Sequence, residues 1–115
     1  MRALVCGGRE FDNWELLSEV MESLDGGSFE NLTVIQGGAK GADFLARVWA
    51  KYHGREMEEY PADWKKHGKG AGAIRNQQML DDGKPDLVIA FPGGVGTADM
   101  VRRAKKAGVE VLEVK

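Results

Sequence analysis

The stretch Leu87-Val88-Ile89-Ala90-Phe91-Pro92-Gly93-Gly94-Val95-Gly96-Thr97 decides the fold. Its five leading apolar residues show no alternation, which suits a strand covered on both faces. The glycines that end the run lead into a segment with helical character. A strand that turns through glycine into a helix leaves backbone N–H groups pointing at whatever sits above the turn. The positive end of the helix dipole adds to that pull. The pattern occurs twice more upstream: Ala3-Leu4-Val5-Cys6 runs into Gly7-Gly8-Arg9, and Thr33-Val34-Ile35-Gln36 into Gly37-Gly38-Ala39-Lys40-Gly41. Three such turns in 115 residues predict an anion-binding edge, suited above all to a phosphate-bearing ligand.

Working outward, strands are expected at about 2–6, 32–36, 55–60, 86–91 and 109–114. Helices are expected at about 12–24, 41–53, 73–82 and 97–107. Asp12 and Glu15 have capping-box spacing, and Asp25-Gly26-Gly27 stops the helix whose stripe is Leu16, Leu17, Val20, Met21 and Leu24. The second helix is expected to bury Ala42, Leu45, Ala46, Trp49 and Tyr52, the last Ala98, Val101 and Ala104. Pro61 to Gly72 reads as a polar connector. Strands alternating with helices imply an α/β fold, a mainly parallel five-stranded sheet wound on both faces. With strand order 3-2-1-4-5, the glycine loops share the carboxyl edge where such sheets bind ligands.

The chain length fits one domain, residues 1–115. Hydrophobic residues make up 43% and charged residues 30%, a globular composition, and no apolar run approaches the roughly 20 residues of a bilayer span. One cysteine, Cys6, allows no internal disulfide and fits a cytoplasmic location. Two histidines, His53 and His67, leave no zinc constellation and no metal site is expected. A net charge of −2 lacks the general nucleic-acid footprint.

In the last cluster, Gly93, Gly94 and Gly96 would let a ligand approach the backbone or supply positive φ angles. Thr97 would cap the helix or donate to a phosphate. The alternative is a turn that needs glycine for packing alone. Gly37-Gly38-Ala39-Lys40-Gly41-Ala42-Asp43 reads as a second phosphate loop, although Lys40 is followed by Gly41 rather than Ser or Thr, so it is not a Walker loop. Asp43 either favours the helix dipole, accepts from a ribose hydroxyl or orients Lys40. Gly7-Gly8-Arg9 does not complete a dinucleotide fingerprint, which argues against a nicotinamide-dependent oxidoreductase. Arg9 suits an anion by its fork geometry, or is simply solvated. The segment Asp63 to Asn76 carries four Lys/Arg against one Asp. It would close over a nucleotide through Trp64 stacking and charge, or form a plain solvated loop. Arg75 and Asn76 fall at the start of the next helix, where a cation opposes the dipole, so Arg75 calls for an anion or a carboxylate partner.

Taken together, Cys6-Gly7-Gly8-Arg9, Gln36 to Asp43, Ile74-Arg75-Asn76 and Pro92 to Met100 resemble the SLOG superfamily, and most closely its YspA-like, YpsA-related branch. The resemblance covers essentially the whole chain and implies a Rossmann-like fold with a site for a nucleotide-derived ligand. The related LOG phosphoribohydrolases carry P-G-G-x-G-T-x-x-E. Pro92, Gly93, Gly94, Gly96 and Thr97 match it, but the glutamate position holds Met100. Arg75 stands for the LOG arginine. A thioether neither takes a proton nor steadies an oxocarbenium charge, so whether the chain is an enzyme stays open, with Arg75 and Asp99 as catalytic candidates. Asp99 lies about 100° around the helix from Met100.

The reading is therefore a nucleotide sensor or binding module that needs no cofactor. Gly7, Gly8, Gly37, Gly38, Ala39, Gly41, Pro92, Gly93, Gly94, Gly96 and Thr97 would cradle phosphate, with Arg9, Lys40 and Arg75 as countercharges and Asn76 beside them. Asp43 or Asp99 would meet ribose. The alternatives are a LOG-like N-glycosidic hydrolase with a rewired carboxylate and a single-stranded DNA binder. The resemblance to LOG proteins, which dimerise, makes a homodimer a candidate state. No membrane association is expected.

Overall fold

A computed structural model describes residues 1–25 and 31–115. In chain order the elements are β1 (Arg2–Cys6), α1 (Trp14–Leu24), β2 (Thr33–Gln36), α2 (Ala42–Tyr52) and β3 (Met57–Glu59). There follow α3 (Trp64–His67), a 3-10 turn (Gly68–Gly70), α4 (Ala71–Gly83), β4 (Leu87–Ala90), α5 (Val95–Lys106) and β5 (Glu110–Glu113). The sheet is parallel throughout, with order β3-β2-β1-β4-β5. Its register aligns Leu4 with Ile35 on one side and Val88 on the other.

Side-chain alternation on the central strands builds two cores, one on each face of the sheet. Ala3, Val5, Leu87, Ile89 and Phe91 pack with Leu17, Met21, Ala46 and Trp49 of α1 and α2. Leu4, Cys6, Val88 and Ala90 pack with Met79, Leu80, Met100 and Ala104 of α4 and α5. The result is the Rossmann-like three-layer arrangement expected from the sequence. Among the described residues no helix is long and apolar enough to cross a membrane.

Several local expectations are corrected. Asn13, not Asp12, caps α1 by accepting from the Leu16 N–H at 3.0 Å. Of the residues expected to stop α1, Asp25 is its C-cap, whereas Gly26 and Gly27 lie outside the described residues. Tyr52, the last residue of α2, is 81% exposed rather than buried. The connector is mostly helical: the Asp63 side chain caps α3 through the Lys66 N–H, and α4 starts at Ala71. Arg75 and Asn76 are thus in the second turn of α4, beyond the strongest part of its dipole. Helix α5 starts at Val95, two residues early, so Met100 and not Ala98 faces inward. Met100 is fully buried.

Candidate functional site

The three glycine loops do converge on the carboxyl edge, and they hold one another. The Gly8 N–H donates to Pro92 O at 2.9 Å, and Gly8 O accepts from Phe11 and Ala42 N–H at 3.2 Å. This makes the loop after β1 a wedge between the loops after β2 and β4. A Cβ on Gly7 would lie 2.6 Å from the Ala42 Cβ, and one on Gly93 would lie 2.6 Å from Gly8 N and against Thr97 Oγ1. Gly41 is held at φ 76°. Packing thus explains the glycines at 7, 41 and 93. An added Cβ at Gly94 or Gly96 would meet nothing within 4 Å. Positive φ, expected in the Pro92 loop, is found instead at Gly38 and Gly41. Gly94 is the N-cap of α5 and no side chain caps that helix, so Thr97 is not its cap.

A cleft of about 300 Å³ opens beside the loop after β2. Arg9, Gly37, Gly38, Ala39, Lys40 and Arg75 line it together with Pro61, Ala62 and Trp64. Arg75 reaches it from α4, donating through Nη1 to the carbonyls of Gly37 and, at 3.5 Å, Tyr60. Burial pulls the Arg75 pKa below its ordinary value; nearby Asp43 opposes that, and the Arg9 charge adds to it. Among the described residues neither Arg9 nor Lys40 has an ion-pair partner. The cleft is therefore a cationic pocket with an apolar wall.

Asp43 is only 7% exposed. Its Oδ2 accepts from the Ala39 N–H at 3.2 Å, which folds the loop after β2 back on the helix it precedes. Burial raises its pKa; the Ala39 bond, Arg75 and the Gly37 N–H work against that. Asp43 thus braces the loop. Cys6 lies within electrostatic reach of Asp43 and Arg75, buried, its thiol pushed up to about 12 chiefly by burial.

The next residue on α4 ties in the third loop. Buried Asn76 donates through Nδ2 to Gly96 O at 3.2 Å and to Asp99 Oδ2 at 3.0 Å. Asp99 also accepts from Arg102 and Arg103. Its carboxyl lies below the usual range, since the Asn76 and Arg103 hydrogen bonds outweigh burial. Asn76 and Asp99 therefore brace α4 against α5. The residues Pro92 to Thr97 lie along the same edge but do not line the cleft.

Two residues escaped the sequence reading. Gln36 is fully buried: its Oε1 accepts from the Gly38 N–H at 2.6 Å and its Nε2 donates to Glu59 Oε1 at 2.8 Å. It clamps the glycine loop to β3. A polar residue closing an otherwise apolar strand was the available signal. Glu59, brought beside Gly38 by strand pairing, left none. A larger groove of about 450 Å³ runs along α4 and α5, but its one cation, Arg103, is already bonded to Asp99 and Gln77. No group of three His, Cys, Asp or Glu able to hold a metal ion is found among the described residues.

A family model described as YspA, cpYpsA-related SLOG family matches residues 1–67. The Gene 61 protein of Mycobacterium phage D29 is 38% identical over 122 residues, covering 96% of this chain and 94% of the phage protein. That match spans both the family-model region and the α4 and α5 braces beyond it. The loops that converge on the cleft edge are thus those of a chain that belongs to the YspA, cpYpsA-related SLOG family.

Proposed function

We propose that this protein binds a nucleotide or nucleotide-derived phosphate ligand in the cleft beneath Trp64, as a sensor or binding module. The observation that carries the reading is the convergence of Arg9, Lys40 and Arg75 on one cleft, with Arg9 and Lys40 unpaired among the described residues. Like charges held together repel, and an anion between them relieves that repulsion. The guanidinium forks match phosphate geometry. In the Gly37–Gly41 loop Gln36 and Asp43 take the N–H groups of Gly37, Gly38 and Ala39, which leaves those of Lys40 and Gly41 for a ligand. Trp64 and Pro61 offer a flat apolar wall for a base. Family membership points the same way, towards nucleotide-related binding or processing. The uncapped first turn of α5 flanks this edge and supplies further N–H groups to a ligand that extends past Gly8.

A phosphoribohydrolase is the second reading, favoured by one observation: Asp43, its pKa raised by burial, lies within electrostatic reach of Arg75. Met100 in the core and Asp99 tied by three side chains argue against a LOG-type carboxylate on α5.

Ligand-observed proton NMR with AMP, ADP-ribose and NAD tests both. Saturation transfer to one ligand, with no new sugar signals over hours, supports binding; free base with a ribose phosphate supports hydrolysis. The Arg9→Ala, Lys40→Ala double variant should weaken the bound ligand at least tenfold, since a hydrogen bond to a charged group contributes about 1.5–3 kcal/mol. Its affinity should also fall less steeply with salt. Unchanged affinity in that variant refutes the site.

A further inference from the structure

Glu59 is a carboxylate held against Gly38, a residue that lines the cationic cleft. It ends β3, where pairing aligns it with Gln36 of β2. Fully buried Gln36 donates to Glu59 Oε1 at 2.8 Å while accepting from Gly38 with its other amide atom. Arg47 approaches the same Oε1 at 3.9 Å. The second oxygen, Oε2, accepts no hydrogen bond among the described residues, and the side chain is 33% exposed.

Its neighbour fixes where that free oxygen lies. Gly38 lines the cleft, and a Cβ on Gly38 would sit 3.3 Å from Glu59 Oε2. The glycine at φ 76° therefore turns its bare face to the carboxylate. The Glu59 charge also reaches Asp43, whose pKa it helps to raise. One free acceptor thus lies against Gly38, which lines the cleft together with Arg9, Lys40 and Arg75.

A carboxylate at an anion site repels phosphate, so its use lies with a part of the ligand that donates. Between a phosphate held by the cations and a ring against Trp64 lies the sugar, whose vicinal hydroxyls donate two hydrogen bonds to a carboxylate. We propose that Glu59 is a specificity-determining residue that accepts from the ribose 2′,3′-diol, so that the cleft selects ribonucleotides over 2′-deoxyribonucleotides. This rests on the proposed nucleotide site and adds the class of sugar it takes.

The test compares the four ribonucleoside 5′-monophosphates with their 2′-deoxy counterparts by calorimetry, on the parent protein, Glu59→Gln and Glu59→Ala. Glu59→Gln keeps the shape and an acceptor for Gln36 but removes the charge. Thermal melting of each variant confirms folding. The ratio of deoxy to ribo dissociation constants is the readout, because removing a carboxylate strengthens every phosphate alike. The parent should prefer at least one ribonucleotide by about tenfold or more, the worth of one hydrogen bond to a charged group. Both variants should bring that ratio close to one. Equal affinity for the two sugars in the parent, or a preference that survives in both variants, overturns the role of Glu59 while leaving the phosphate site standing. Binding of none of the eight overturns the role of Glu59, and overturns the phosphate site as well if ADP-ribose and NAD also fail to bind.

Discussion

Replacing Gly41 with alanine separates two uses of glycine that look identical in the sequence. Gly41 sits at φ 76°, ψ −126° at the head of α2. A Cβ there would lie 2.7 Å from the Arg9 carbonyl carbon and oxygen, and closer still to Gly8 O. Backbone rather than a flexible side chain blocks it, so the loop must move. Holding a non-glycine residue in this conformation costs about 1–3 kcal/mol. Displacing Gly8 weakens the bonds its carbonyl accepts from Phe11 and Ala42, at about 0.5–1.5 kcal/mol each. The total is about 2–6 kcal/mol, or a fall in melting temperature of about 8–24 °C for a chain of this size. Gly96→Ala is the control: in the first turn of α5 its Cβ meets nothing within 4 Å, and it should gain about 0.4–1 kcal/mol by restricting the unfolded chain. Urea denaturation followed by tryptophan fluorescence gives both values. A Gly41→Ala protein within about 1 kcal/mol of the parent, or a Gly96→Ala protein equally destabilised, would refute the wedge of loops described above.

Two further expectations concern titration. The Arg55 guanidinium, with help from the Leu32 N–H, holds Asp25 below the usual carboxylate range. Its stabilisation is present above the unfolded pKa of about 3.9 and is lost as pH falls through the lower folded value. Asp43 has the opposite sign: raised by burial, it adds stability as pH falls through its folded value. Denaturation midpoints against pH should therefore flatten in Asp25→Asn and fall more steeply in acid in Asp43→Asn; the same slope in both would contradict the burial of Asp43. Cys6, at about 12, should have a thiolate fraction on the order of 10⁻⁴ at pH 8 in the native state. Ellman's reagent should label it only as fast as the protein opens, and labelling at the free-thiol rate would show the end of β1 to be exposed.

The alternation of strands with helices and the glycine loops that end the strands were legible in the sequence. They follow from local patterns: unbroken apolar runs at 87–91 and 3–6, and glycine clusters at their carboxyl ends. The strand order β3-β2-β1-β4-β5 was expected from the general habit of doubly wound sheets, not from those patterns. Boundaries were less legible where tertiary contacts override local pattern. Met100 lies inside because α5 begins two residues early, and a start at Val95 rotates the helix so that Ala98 is exposed. The segment from Pro61 to Gly72 looked like loop because its residues are polar and glycine-rich, yet capping by Asp63 closes a short helix there.

What the sequence determined by itself was that three glycine loops share one edge of the sheet and that Arg9, Lys40 and Arg75 stand near it, since strands that end in glycine and run into helices are read from local pattern. Only the tertiary structure decided how that edge divides. Gly7, Gly41 and Gly93 are used to let three loops touch, whereas Gly94 and Gly96 face open space. Asp43 and Asn76, alike as polar candidates, became braces once their partners Ala39, Gly96 and Asp99 were in place. Glu59 entered only because β3 pairs with β2, which sets it beside Gln36 and Gly38. A side chain's type is local, but its partner is set by strand pairing and helix rotation across distances that no spacing in the chain records.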